Sequence, residues 1–101
     1  MPTIPPRDHQ ILAVVRSLRE GEVVTYGEIA ADAGHRGQAR LVGRLLSLHD
    51  DLPWWRVVNA AGRLVPGLED EQAELLRLEG VTVSDGRVRR AAFGRFSPAR
   101  S

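Results

Sequence analysis

At 101 residues and a formal net charge of +1, the chain has room for one domain with a modest core and not for two. Its 43% hydrophobic and 27% charged content is ordinary for a soluble globular protein, and no run approaches the roughly 18 apolar residues of a membrane helix. There are no cysteines, which excludes disulfides, thiolate nucleophiles and cysteine metal sites.

The opening MPTIPPRDHQ lacks the apolar core of a secretion signal, so a cytoplasmic location is expected, with nucleoid association if the source is bacterial. Pro5-Pro6-Arg7 reads as an extended lead-in. Asp8 is the candidate N-cap of a first helix, Ile11, Leu12, Val14, Val15 and Leu18 form its apolar stripe, and Gly21 ends it. Val23-Val24 is a short extended link. Thr25 with Glu28 three residues on has the pattern of a capping box. Ile29, Ala30 and Ala33 give the apolar side of the short helix that follows, and a turn from Gly34 to Gly37 leads into another helix from Gln38 to Leu46, with Leu41, Val42, Leu45 and Leu46 inward.

Short helix, glycine turn and second helix make the pattern of a helix-turn-helix. All fourteen basic residues are arginine. Arg36, Arg40 and Arg44 recur every fourth residue and form one outward stripe, and no acid interrupts residues 33–48, which favours contact with phosphates over a merely solvated face. The acids gather elsewhere, in Glu69-Asp70-Glu71, Glu74 and Glu79, so a nearly neutral chain carries one basic face.

After Pro53 a hairpin is expected, pairing Arg56-Val57-Val58 with Arg63-Leu64-Val65 around Asn59 to Gly62. A helix over about 69–79 follows, with acids in its first turn as the macrodipole prefers, and Gly80 ends it. Asp85-Gly86 then predicts a second small hairpin. From Arg89 to Ser101 the chain reads as a basic tail, which Phe93 and Phe96 either anchor or leave loose. The whole is one domain over residues 1–101, mainly α with small β-hairpins, with its core within about 8–83. His9, His35 and His49 lie far apart and lack metal-ligand spacing, and neither a metal nor a cofactor is expected.

Several blocks share a familiar order: Val24-Thr25-Tyr26-Gly27-Glu28-Ile29-Ala30, then Gly34, Ala39-Arg40-Leu41-Val42-Gly43, Leu52-Pro53-x-x-Arg56-Val57-Val58, Gly62, and Leu75-Leu76-Arg77-Leu78-Glu79-Gly80. Over about residues 8–83 the chain resembles the winged-helix-like DNA-binding domain of the O6-alkylguanine-DNA alkyltransferases. In that family the motif reads Pro-Cys-His-Arg, the cysteine takes the alkyl group and the histidine activates it. Here Trp54 and Trp55 stand at those two positions. The chemistry needs a thiolate. A branch with tryptophan at the cysteine position, the alkyltransferase-like proteins, transfers nothing. Its members bind alkylated DNA, flip the damaged guanine into a pocket and flag the site for nucleotide excision repair. The usual branch motif is Pro-Trp-His-Arg, so Trp55 is a further departure.

The resemblance implies a role for each matched position. Arg40 corresponds to the arginine finger that enters the base stack, for which a planar guanidinium is suited. Tyr26 corresponds to the tyrosine that crowds the phosphate 3′ of the target nucleotide. The recognition helix, with Ala39, Leu41 and Gly43, is expected in the minor groove, flanked by Arg36 and Arg44. The alkyl-base pocket is expected to take in Tyr26, Leu46, Trp54, Trp55, Arg56, Val57, Asn59 and Leu68, with the stretch from Asn59 to Leu68 as its wall. Glu79 corresponds to the acid of the enzymes' relay, with a structural hydrogen-bonding role here. The implied partners are double-stranded DNA carrying O6-alkylguanine and nucleotide excision repair proteins, and the protein is expected to be a monomer. The competing reading is a helix-turn-helix transcriptional regulator without lesion specificity. Such a regulator needs base-reading polar groups on the recognition helix, and Ala39, Leu41, Val42 and Gly43 offer few.

Overall fold

The computed structural model describes residues 3–98; Arg100 of the expected tail lies outside them. The order is α1 (Pro6–Arg16), β1 (Glu22–Thr25), α2 (Tyr26–Asp32), α3 (Ala39–Leu48), a 3-10 turn (Trp54–Arg56), β2 (Val57–Val58), α4 (Glu69–Leu78), β3 (Thr82–Ser84), β4 (Arg87–Arg90) and β5 (Phe93–Gly94). The fold is mainly helical with small β elements, as expected.

Two apolar cores lie on either side of a small parallel sheet of order β2-β1-β5. Consecutive strand residues point to opposite faces. Val24 and Val57 therefore enter the first core, with Ile11, Leu12, Val15, Ile29, Val42 and Leu45 of the three N-terminal helices. Val23 and Val58 enter the second, with Leu64, Leu76, Val81 and Val88. Each fully buried aliphatic side chain of this kind contributes roughly 1.5–3 kcal/mol.

Four expectations need correction. Helix α1 begins at Pro6, with Asp8 in its first turn rather than at the cap, because a proline at the first helical position is already set at the helical φ. It ends at Arg16, where Ser17 caps it, well before Gly21. The first hairpin does not form: β2 pairs in parallel with β1, Val24 opposite Val57 and Thr25 opposite Val58, while Arg63 bridges to Arg87. Two adjacent valines buried on both faces suit a covered parallel strand, not a hairpin with a wet side. The second hairpin is present, with positive φ at both Asp85 and Gly86 as a primed turn requires.

From Arg89 to Pro98 the chain is also not a loose tail. Arg89 and Arg90 complete β4, and Phe93-Gly94 forms β5 against β1, Glu22 opposite Phe93 and Val23 opposite Gly94. Gly94 has φ +89°, and a Cβ there would collide with the Val23 carbonyl, so only glycine permits this approach. Phe96 packs on the second core against Gly62. Of the two alternatives for Phe93 and Phe96, anchoring is the one observed.

Candidate nucleic-acid interface and base cavity

The capping box at Thr25 positions the first functional side chain. Thr25 Oγ1 accepts from the Glu28 N–H at 3.1 Å, and Glu28 Oε1 accepts from the Thr25 N–H at 2.9 Å. Tyr26 is thereby fixed as the first residue of α2. It is half-buried, and burial raises its phenol above the ordinary value, so it stays a neutral O–H group.

Helix α3 lies against α2. A Cβ on Gly43 would sit 3.7 Å from the Tyr26 ring, so the missing side chain leaves an open shelf beside the tyrosine. Tyr26, Ala39, Arg40 and Gly43 line a shallow depression on the outer surface. Arg36, Arg40 and Arg44 are exposed, and their side chains make no hydrogen bond or ion pair among the described residues. Leu41 packs against the first core, as its place on the inward stripe predicts, and so is not on the outer face with the other residues that the resemblance gives to DNA contact.

Beside this surface is a cavity of about 470 Å³, within the size range of ligand clefts. Helix α3 contributes Gly43, Leu46 and Ser47, and the loop after it His49 and Asp50. Trp54 comes from the 3-10 turn, Val65 and Leu68 from the loop before α4, and Tyr26 from α2. Tyr26 and Gly43 line both the cavity and the shallow depression, so the two features meet there.

Of the residues expected to share a pocket, Tyr26, Leu46, Trp54 and Leu68 are brought together around this cavity. Trp55, Arg56, Val57 and Asn59 do not line the cavity. The two indoles sit edge to face, 6.3 Å apart and at 87°, so they point different ways. Trp55 packs on the second core, and its indole N–H donates to Glu79 Oε2 at 2.7 Å. Arg56 donates to both Glu79 oxygens, at 3.0 Å from Nε to Oε1 and 2.7 Å from Nη2 to Oε2, and to the Leu18 carbonyl at 2.9 Å. Val57 is fully buried in the first core. Asn59 is exposed; its Oδ1 accepts from the N–H groups of Ala61 and Arg63 at 3.0 and 2.8 Å, which shapes the turn instead.

Glu79 is the hub of this support. It also accepts from the Gly21 N–H at 2.9 Å. Burial alone raises its pKa, but the hydrogen bonds from Arg56, Gly21 and Trp55 outweigh it and hold the carboxyl below the usual range. One carboxylate therefore ties the end of α4 to the turn after α1 and to the 3-10 turn that carries Trp54. No polar side-chain atom buried among the described residues is left without a partner.

Ser47, His49 and Asp50 were not foreseen as cavity residues; Ser47 stands in the last turn of α3, and His49 and Asp50 reach the cavity from the loop after it. Gln72 was missed as well. It is fully buried on α4, donates to the carbonyls of Trp55 and Val57 at 3.1 Å each, and accepts from the Val65 N–H at 2.7 Å. It thus fixes the cavity's two opposite contributors, Trp54 through its neighbour and Val65 directly. A signal existed in the spacing: Gln72 shares the inner face of α4 with Leu76 and Glu79.

Known proteins resemble the chain over this region. Residues 6–81 match the model of the 6-O-methylguanine DNA methyltransferase DNA-binding domain. A DNA base-flipping protein of Vibrio parahaemolyticus is 43% identical over 81 residues, spanning 75% of this chain and 81% of that protein. Alkyltransferase-like protein 1 of Schizosaccharomyces pombe is 39% identical over 70 residues, spanning 62% of this chain and 65% of that protein. The crystal structure of S. pombe Atl1 in complex with damaged DNA containing O6-carboxymethylguanine superposes with a TM-score of 0.72 at 31% identity, covering 82% of this chain and 83% of that one. The match spans the capping box, the recognition helix, the two tryptophans and the Glu79 hub, and the chain belongs to the 6-O-methylguanine DNA methyltransferase DNA-binding-domain family.

Proposed function

We propose that this protein is a non-enzymatic sensor of alkylated DNA. It binds the duplex in the minor groove through α3, turns an O6-alkylguanine out of the stack into the Trp54 cavity, holds it there and removes nothing. The observation that carries the reading is the cavity itself. Its wall has Trp54 where the alkyltransferases have their nucleophilic cysteine, in a chain with no cysteine at all.

The chemistry of the parts supports each step. Ala39 and Gly43 present little bulk, which lets the helix approach a narrow groove, and minor-groove contact gives the weak base readout that a scanner of any sequence requires. Arg40 is exposed beside the mouth of the cavity, free to stack in the gap left by a departed base. Tyr26 sits where surface and cavity meet, placed to crowd a phosphate and favour the extruded nucleotide. Trp54 and the aliphatic side chains of Leu46, Val65 and Leu68 offer dispersion contact to an alkyl group of varied size. Ser47, His49 and Asp50 supply polar groups for the base edge.

A protein that holds a lesion without repairing it needs another system to excise it, and nucleotide excision repair proteins are the partner class that the resemblance implies. The relatives named for base flipping and bound to damaged DNA support the lesion-binding half of this reading. Gel shifts with plain and O6-methylguanine duplexes, followed by intact-mass measurement of the protein, test it. Preferential retention of the alkylated duplex with unchanged protein mass is expected; equal retention, or a stable mass gain of one methyl group, contradicts it.

A further inference from the structure

Seven of the thirteen arginines among the described residues are engaged: Arg7, Arg16, Arg19, Arg56 and Arg89 pair with carboxylates, and Arg77 and Arg87 donate to carbonyls. Among the described residues, the side chains of Arg36, Arg40, Arg44, Arg63, Arg90 and Arg95 make no such contact. Two of these, Arg36 and Arg95, meet in one groove with Tyr26, Gly27, Ala39 and Asn59. Arg36 precedes the recognition helix; Arg95 comes from the C-terminal arm, far outside the helix-turn-helix.

We infer that Arg95 is a DNA-backbone contact, and that with Arg36 it grips the phosphates of the strand running past Tyr26. This rests on the DNA-binding reading above and extends its footprint to a second element. The arm that carries Arg95 is held on both sides. Gly94 is locked into the sheet against Val23. Phe96 packs against Gly62, and its carbonyl accepts from the Ala91 N–H at 3.1 Å. The side chain between these anchors therefore projects from a fixed backbone, which lowers the ordering cost of a contact. Glu28 also lines the groove, but its carboxylate is engaged by the Thr25 N–H of the capping box. Guanidinium groups without internal partners, on the face already given to DNA, suit phosphate oxygens.

The test is a salt series of fluorescence anisotropy on the full chain, from about 50 to 200 mM salt, with plain and O6-methylguanine duplexes. Loss of one phosphate contact lowers the slope of log affinity against log salt by about 0.9. Arg95→Gln and Arg95→Ala are expected to lower it so on both duplexes, with several-fold weaker binding and an unchanged ratio of lesion to plain affinity. Arg95→Lys is expected to keep the slope. Arg89→Ala, whose side chain is engaged by Ser84 and Asp85, serves as control and is expected to keep it too. Thermal melting reports whether the variants are folded. A wild-type slope and affinity in folded Arg95→Gln on the plain duplex overturns the proposal. Because the plain duplex carries that readout, a wild-type protein that binds DNA without preferring the lesion overturns the sensor reading and leaves the Arg95 contact standing.

Discussion

The indole N–H of Trp55 donates to Glu79 Oε2 at 2.7 Å, joining the two residues that the resemblance places at the enzymes' histidine and acid. What is lost is the proton. A histidine accepts one from a neighbouring thiol and passes it on; an indole only donates. Trp55 therefore gives Glu79 a hydrogen bond but no proton acceptor, and Arg56 and the Gly21 N–H take up the rest of the carboxylate.

Restoring the nucleophile alone should therefore give a poor enzyme. A free cysteine has a pKa of about 8.5, so Trp54→Cys leaves only a few per cent thiolate at neutral pH. Trp54→Cys with Trp55→His provides a base that Glu79 is placed to orient. Single-turnover transfer from a labelled O6-methylguanine duplex at pH 7 should be faster in the double variant. Equal rates would mean that Trp55 does not mark a dismantled relay.

The Arg56–Glu79 pair is well buried, with 15% and 8% of the two side chains exposed. Removing one member strands the other, so Arg56→Ala should cost about 3–5 kcal/mol in urea unfolding. The pair also sets an acid dependence. Glu79 is held below the unfolded value of about 4.3, so the unfolded chain binds more protons in that window. Its contribution is complete above about pH 5 and falls away as the pH drops through the lowered folded value. Glu79→Gln should be less stable at pH 7 and lose less on acidification. Some acid loss should persist, because Arg16 likewise lowers Asp51 by a hydrogen bond. An unchanged acid slope would contradict this role for Glu79.

Gly43→Ala separates folding from binding. The new methyl would meet the Tyr26 ring at 3.7 Å, an ordinary contact, and alanine favours a helix interior by about 0.8–1.0 kcal/mol over glycine. Unfolding should show equal or greater stability. The same methyl fills the shelf between Tyr26 and Arg40, so binding to plain and alkylated duplexes should weaken together. Unchanged affinity would place the DNA away from this shelf.

How much was legible follows from how local each signal is. The capping box, the ends of α2 and α4 just before Gly34 and Gly80, and the Asp85-Gly86 hairpin are set by residues within a few positions, and they appear as read. The parallel pairing of Val24 with Val57 joins distant two- and four-residue strands, and no turn chemistry announces it. Trp54 and Trp55 look equivalent in the sequence; only the 3-10 turn sends one to the cavity and the other to Glu79. The resemblance places Asn59 in the pocket, whereas its side-chain oxygen accepts from the N–H groups of its own turn, a local use that the family pattern does not reveal. Arg95 read as tail because β5 is two residues long and depends on Gly94, whose purpose is visible only beside Val23.

Arg40→Ala and Arg95→Ala should fail differently. A stacked side chain contributes about 1–3 kcal/mol per base, so Arg40→Ala should lower affinity for the alkylated duplex by that amount and for the plain duplex by less. Arg95→Ala should weaken both equally, and less as salt rises. Anisotropy at near-physiological salt separates the two patterns; identical patterns would count against a stacking role for Arg40.

Reading of the lesion in the Trp54 cavity makes lesion preference depend on that one indole. The most direct measurement is the ratio of affinities for O6-methylguanine and plain duplexes, in wild type and in Trp54→Ala, by competition anisotropy. Partial unfolding lowers both affinities together and leaves the ratio intact. A ratio well above one is expected for wild type, collapsing toward one in Trp54→Ala, while plain-duplex binding by the folded protein is retained. A ratio that survives the loss of Trp54 would contradict it.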